Sequence, residues 1–292
     1  MKKIILQLVL GMFFTITSVA FSQNGQVFET KTVKSEILKA ERKYSIYLPP
    51  GYNESDQSYP ALYLLHGSGD DHTGWVQFGQ VQHIADKAIA EGKAARMIIV
   101  MPDANTCRRG YFNDIRGDFD YEEFFFKELV PHIEKTYRIR SERCYRAIAG
   151  LSMGGGGTIF YSLHHPELFA AAAPLSAATG NRDRQQMKAR LGENADVISE
   201  TQLDAYFNRH NIEAILQNAS KEDLDKIKQI RWYISCGDDD FLYEGNSLLH
   251  ILFRAKGIFH EYRVKDGGHT WTYWRMELPE VMEFVSKSFT QY

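Results

Sequence analysis

The stretch Ala147-Ile148-Ala149-Gly150-Leu151-Ser152-Met153-Gly154-Gly155 decides the fold. An apolar run enters a Gly-x-Ser-x-Gly core, and a helix-compatible segment, 156–164, follows it. Strand, sharp turn and helix form the setting in which such a motif acts as a nucleophile elbow, with the serine lifted out at the tip of the turn. Gly150 and Gly154 suit it because strand and helix approach too closely there for side chains. The plainer reading is a glycine-rich turn that packs a helix on a sheet, and it loses ground as the rest of the chain is read. The four glycines 154–157 are not a phosphate loop, since no Gly-Lys-Ser/Thr follows them.

Outward from this stretch the pattern alternates. Strands are predicted at 26–35 and 42–48, the second with Tyr44, Ile46 and Leu48 on one face. Continuous apolar runs at 61–65 and 97–101 read as strands buried on both faces. Further strands fall at 145–149, 168–175, 231–236 and 259–264. Helices are predicted at 82–93, 121–137, 248–256 and 276–288, the second acidic at its start and basic near its end. From Ala178 to Ile230 the composition turns charged and Gln/Asn-rich, with helical pieces at 200–208 and 212–218. This reads as a helical insertion over one end of the sheet. Alternating strands and helices imply an α/β fold with a mostly parallel sheet covered on both faces.

Lys2 and Lys3 precede a mostly apolar run, 4–21, and Ala20-Phe21-Ser22 offers small residues for cleavage. A secretory leader, cleaved near Ser22, and export to the periplasm or beyond are expected. Gln7, Thr15, Thr17 and Ser18 within the run argue against a retained anchor. About 270 residues then remain, the size of one large α/β domain. The formal charge of −3 becomes about −5 without Lys2 and Lys3. With no basic cluster, nucleic acid and anionic lipid are poor partners, and no later stretch is apolar enough to span a bilayer. Cys107, Cys144 and Cys236 are an odd set, read as free structural thiols, and no metal-ligand spacing or cofactor motif is present.

A serine hydroxyl becomes nucleophilic when a histidine held by a carboxylate takes its proton, and in this fold the order is Ser, Asp/Glu, His. His164 and His165 lie on the elbow helix, too close in sequence to swing back to its tip. His210 lies in the insertion, His250 in a helix and His260 in a strand. His269 lies in the loop Asp266-Gly267-Gly268-His269-Thr270-Trp271, past the last strand, where active sites of open α/β sheets form. It is the candidate base. The carboxylate should follow strand 231–236, where spacing leaves Asp238, Asp239 and Asp240 open. Asp240, beside apolar Phe241 and Leu242, is better placed for burial against the histidine. The oxyanion of a tetrahedral intermediate needs N–H donors. Met153 N–H supplies one at the helix start, and Ser68 N–H in His66-Gly67-Ser68-Gly69 is the choice for the second, with His66 bracing that loop.

At these residues the chain resembles the α/β-hydrolase esterases grouped with esterase D, tributyrin esterase, and the feruloyl and acetylxylan esterases of carbohydrate esterase family one. The matching stretches are Tyr63-Leu64-Leu65-His66-Gly67, Gly150-Leu151-Ser152-Met153-Gly154-Gly155, Cys236-Gly237-Asp238-Asp239-Asp240-Phe241-Leu242 and Gly267-Gly268-His269-Thr270-Trp271. The likeness runs from about Lys43 to the C-terminus, apart from the insertion. It implies an α/β-hydrolase domain over 23–292, a triad of Ser152, Asp240 and His269, and an oxyanion hole of Met153 and Ser68. In that group the acid falls three residues after the glycine, which favours Asp240.

The resemblance, with export, points to a secreted serine carboxylesterase that removes feruloyl or acetyl groups from xylan. Its partner is then a small-molecule or polysaccharide ester, with no cofactor or metal. Trp75, Tyr111, Phe112, Trp271, Tyr273 and Trp274 are candidate stacking surfaces, with core or rim packing the commoner use expected of most of them. Exported siderophore or small lipid esters are the nearest alternatives, and S-formylglutathione hydrolysis is disfavoured by the leader. A serine peptidase and a non-catalytic carbohydrate-binding protein stand further off.

Overall fold

In the computed structural model the structure describes residues 24–105, 110–180, 183–191 and 198–289. The leader and Cys107 lie outside the described residues. Among the described residues eight strands form one sheet: β1 (Gln26–Ser35), β2 (Ala40–Leu48), β3 (Ala61–Leu65), β4 (Ile98–Pro102), β5 (Arg146–Leu151), β6 (Ala171–Leu175), β7 (Arg231–Gly237) and β8 (His260–Lys265). Their order is β1-β2-β4-β3-β5-β6-β7-β8. β1 and β2 are antiparallel to each other, and β2 is antiparallel to β4. All other neighbours run parallel. The sheet is mostly parallel, as the alternation of elements predicts, and the fold is the α/β-hydrolase fold that the resemblance implies.

The helices are α1 (Gly74–Gln77), α2 (Val81–Ala90), α3 (Tyr121–Phe124), α4 (Val130–Thr136), α5 (Met153–His164), α6 (Arg184–Leu191), α7 (Glu200–Arg209), α8 (Ile212–Asn218), α9 (Lys221–Gln229), α10 (Tyr243–Ala255) and α11 (Trp271–Phe289). The period-2 alternation of the strands divides the core. Tyr63, Leu65, Val100, Ile148 and Ile234 face a layer that includes Phe125, Ile159, Tyr161 and Phe253. Leu62, Leu64, Ile99, Ala149 and Tyr233 face Trp75, Ala85, Leu278, Val281 and Val285. Tyr44, Ile46 and Leu48 share the first of these layers, as their spacing predicts.

Three elements differ from the sequence expectation. The helix expected over 121–137 is interrupted by a π turn, Phe125–Leu129, in which Val130 N–H reaches back five residues to the Phe125 carbonyl. Pro131 follows and has no N–H to continue the ladder, so the chain widens there before α4 resumes. The last helix starts at Trp271, not 276, because Thr270 caps it: the Trp274 N–H donates to the Thr270 carbonyl at 3.2 Å. α10 likewise begins at Tyr243, not 248. Both early starts bring a helix N-terminus to the loops that carry Asp240 and His269. Between β6 and β7, α6 and α7 pack Met187 and Leu203 with Ile115 in a small separate cluster, and Tyr206 of α7 donates to the Asn113 carbonyl at 3.1 Å.

Candidate active site

Ser152 caps α5 with φ 54° and ψ −115°, a left-handed conformation that strains any residue with a side chain. The strain is held in place on both sides. Ser152 N–H donates to the Leu175 carbonyl, and the Ser152 carbonyl accepts from Ala178 N–H, each at 2.9 Å. The glycines explain how helix and sheet come so close. A Cβ on Gly150 would lie 2.5 Å from the Gly154 carbonyl oxygen, and one on Gly154 would lie 2.6 Å from the carbonyl oxygens of Leu65 and His66. Gly155 and Gly156 similarly face the backbone of Leu175, Ala177 and Ala178. Helix α5 therefore includes the whole glycine run, three residues more than the segment 156–164.

His269 stands across from the serine. Its Nε2 is 2.9 Å from Ser152 Oγ, and its Nδ1 is 2.9 Å and 3.1 Å from the two carboxylate oxygens of Asp240. An ionised carboxylate only accepts, so Nδ1 carries the proton and Nε2 presents its lone pair to the serine hydroxyl. Asp240 is 1% exposed. Burial opposes its ionisation, but hydrogen bonds from His269, the Leu242 N–H and Ser176 hold its carboxyl below the usual carboxylate range. The neighbouring acids are placed otherwise. Asp238 and Asp239 are exposed and stitch the acid loop to the histidine loop, with Asp238 accepting from Gly267 N–H at 3.0 Å and Asp239 N–H donating to the Gly267 carbonyl at 3.1 Å. Gly237 permits that stitch, since a Cβ there would fall 1.9 Å from the Gly267 carbonyl oxygen.

The loop after β3 closes the other side. The position of a Cβ on Gly67 lies 3.5 Å from the Ser152 Cβ, so this loop abuts Ser152. Ser68 and Met153 backbone N–H groups have no acceptor among the described residues. His66, 1% exposed, is committed to bracing: its Nδ1 donates to the Gly67 carbonyl at 2.8 Å and its Nε2 accepts from Ala104 N–H at 2.9 Å. Burial pushes its imidazole below the usual range. Tyr111 reinforces the loop, accepting from His66 N–H at 2.8 Å, and Trp75 Nε1–H donates to the Leu65 carbonyl at 3.0 Å.

Two supporting residues escaped the sequence reading. Asn246, fully buried, accepts from Ala177 N–H and donates to the Ala177 and Leu242 carbonyls, tying the acid loop to the segment that cradles Ser152. Ser176, also buried, accepts from Trp274 Nε1–H at 3.1 Å and faces Asp240. These partners are separated by 69 and 98 residues in the chain, and no local pattern marks them.

The stacking candidates need correction. Trp75, Tyr111, Tyr273 and Trp274 are buried, spent on packing and bracing. Phe112 and Trp271 are half-buried. The neighbours invoked for Asp240 are also placed differently: Phe241 is 71% exposed, with its ring 4.5 Å from that of His269, so burial of the acid comes from elsewhere. Cys144 and Cys236 are free thiols, and burial, with Asp240 nearby, pushes Cys236 up to about 12, leaving it inert. Asp238, Asp239 and Asp266 are the one close trio of metal-ligating types among the described residues, and all three are exposed.

A model of the Esterase family matches residues 35–285. The chain belongs to this esterase family. A solved structure described as a ferulic acid esterase is 33% identical with a TM-score of 0.80, covering 91% of this chain and 99% of its own. The endo-1,4-beta-xylanase/feruloyl esterase of Xylanibacter ruminicola is 38% identical over 159 residues, 51% of this chain but 21% of that longer protein. The acetyl esterase of Caldicellulosiruptor saccharolyticus is 24% identical over 238 residues, 79% of this chain and 85% of that one. This esterase is thus a carboxylic ester hydrolase, similar to feruloyl and acetyl esterases. Among its described residues no helix is long and apolar enough to cross a membrane.

Proposed function

We propose that the esterase is a secreted serine carboxylesterase that removes feruloyl or acetyl groups from plant polysaccharide, with residues 23–292 acting as one catalytic domain once the leader is cut. The observation that carries this reading is the unbroken relay from Asp240 through His269 to Ser152, with 2.9 Å at both key steps. Ser152 Oγ attacks the ester carbonyl as its proton passes to His269 Nε2. Asp240 fixes the tautomer and stabilises the imidazolium without taking the proton. Met153 and Ser68 N–H groups receive the oxyanion, aided by the positive end of α5. The imidazolium then protonates the leaving alcohol, and water, activated by the same histidine, releases the acid. The 33% identity to a ferulic acid esterase favours the feruloyl acyl group, and the acetyl esterase relative favours the smaller one.

The test is hydrolysis of methyl ferulate beside p-nitrophenyl acetate, with Ser152→Ala as the blank. Ser152-dependent cleavage of both supports a feruloyl esterase, and cleavage of the acetate alone assigns a small-acyl esterase. Turnover that survives Ser152→Ala, or none on either ester, would overturn the reading.

A further inference from the structure

Phe241 is an anomaly in energetic terms. It is 71% exposed beside the reactive histidine, and an aromatic ring left in water forgoes the free energy of burial. The backbone turn that carries it is pinned by hydrogen bonds. Leu242 N–H donates to Asp240 Oδ1 at 2.8 Å, Tyr243 N–H donates to the Asp240 carbonyl at 2.9 Å, and Asn246 fixes the Leu242 carbonyl at 2.9 Å. The ring thus stands on a pinned turn, tilted 50° to the His269 imidazole. Tyr243, two residues on, is 59% exposed.

Chemistry assigns a side of the substrate to this ring. His269 must hand its proton to the alcohol oxygen as the acyl-enzyme forms, so the alcohol lies against the histidine, while the acyl oxygen lies towards the Met153 and Ser68 N–H groups. A group that flanks His269 from the solvent side meets the alcohol. The other aromatic against the imidazole, Trp274, has its ring 4.9 Å away and is buried, so it is not open to a substrate. We infer that Phe241, with Tyr243 beside it, is a platform for the alcohol portion of the ester, and that it stacks on the C–H face of a sugar ring. This rests on the carbohydrate-ester reading above and adds the side of the site on which the sugar sits.

The experiment compares the intact enzyme with Phe241→Ala on two feruloyl esters that differ only in the alcohol: methyl ferulate and a feruloylated arabinoxylan oligosaccharide. An acetylated xylo-oligosaccharide beside ethyl acetate serves as the small-acyl pair. The ratio of kcat/KM on the sugar ester to that on the simple ester should fall about tenfold in Phe241→Ala, mainly through KM, the scale of one lost aromatic contact. Phe241→Trp should restore it. Phe259, 83% exposed ahead of β8 at the opposite edge of the sheet, is the control, and Phe259→Ala should leave the ratio unchanged. An unchanged ratio in Phe241→Ala would overturn the platform while leaving the carbohydrate-ester reading intact. Failure of the unaltered enzyme to cleave either sugar ester while it cleaves the simple ones would instead overturn that reading, and the platform with it.

Discussion

The two ends of helix α5 carry the same ingredients, a buried carboxylate and histidine, arranged to opposite ends. At the N-terminal end Asp240 holds His269 by Nδ1 alone, and the imidazole's other nitrogen reaches Ser152 Oγ. At the C-terminal end Glu122, fully buried, accepts from His164, His165 and Arg209 through one oxygen. There the second nitrogen of His164 is also taken, 2.8 Å from the Arg209 carbonyl. A carboxylate–histidine pair becomes chemistry only when one ring nitrogen is left for a reacting group. The C-terminal cluster joins α3, α5 and α7 instead, so its expected currency is stability.

The isosteric pair Asp240→Asn and Glu122→Gln tests this contrast most directly. Asp240→Asn should lower kcat by about 10³–10⁴-fold, because the amide supports the wrong tautomer of His269, with thermal unfolding little changed. Glu122→Gln should keep kcat per folded molecule within about twofold but destabilise by roughly 1–3 kcal/mol, since three donors lose a charged acceptor. Comparable losses of kcat in both variants would break the division of labour.

Acid should separate the two ends next. His210, stacked on Tyr206 and in contact with His164, is pushed down to about 3, chiefly by burial. Its folded pKa lies below its unfolded value of about 6.5. The unfolded chain therefore takes up the proton first, and stability present above about pH 6.5 is lost as the pH falls towards 3. Glu122, held below the usual carboxylate range by its histidine hydrogen bonds and Arg209 against the cost of burial, adds a loss at the lower end of that window. Denaturant unfolding from pH 7.5 to 4.5 should show this slope, and His210→Phe should flatten it. The smallest effect is expected at Trp274→Phe, which removes one hydrogen bond to Ser176 Oγ. About 1 kcal/mol of stability and a few-fold change in kcat are expected. A loss of several hundredfold would place Trp274 in the catalytic machinery.

Much of this was legible in the chain because it is written locally. Alternating β3 and β5 residues, the Gly-x-Ser-x-Gly turn and the loop carrying His269 each occupy a few consecutive positions, and order along the sheet brings them to one edge. What escaped depends on partners far apart in sequence. Asn246 reveals its role only when Ala177 folds against it, and the exposure of Phe241 depends on how α10 begins. The four stacking candidates that prove buried show the same limit from the other side. Trp75 and Tyr111 look like stacking residues by type, yet the groups they brace, Leu65 and His66, belong to β3 and the loop after it. Among the three adjacent aspartates, spacing left the choice open, and burial separates Asp240 from two exposed neighbours.

The four buried glycines 154–157 carry a consequence for the order of folding. Relative to alanine they cost the isolated helix roughly 3–4 kcal/mol, so α5 has little tendency to form by itself. It becomes a helix only where the backbones of β3 and β6 are already in place to fill the space its missing side chains leave. If Ser152 is the nucleophile proposed above, it should be assembled late: during refolding a serine-directed fluorophosphonate should begin to label it only as the sheet closes, making reactivity a clock for the protein's own topology.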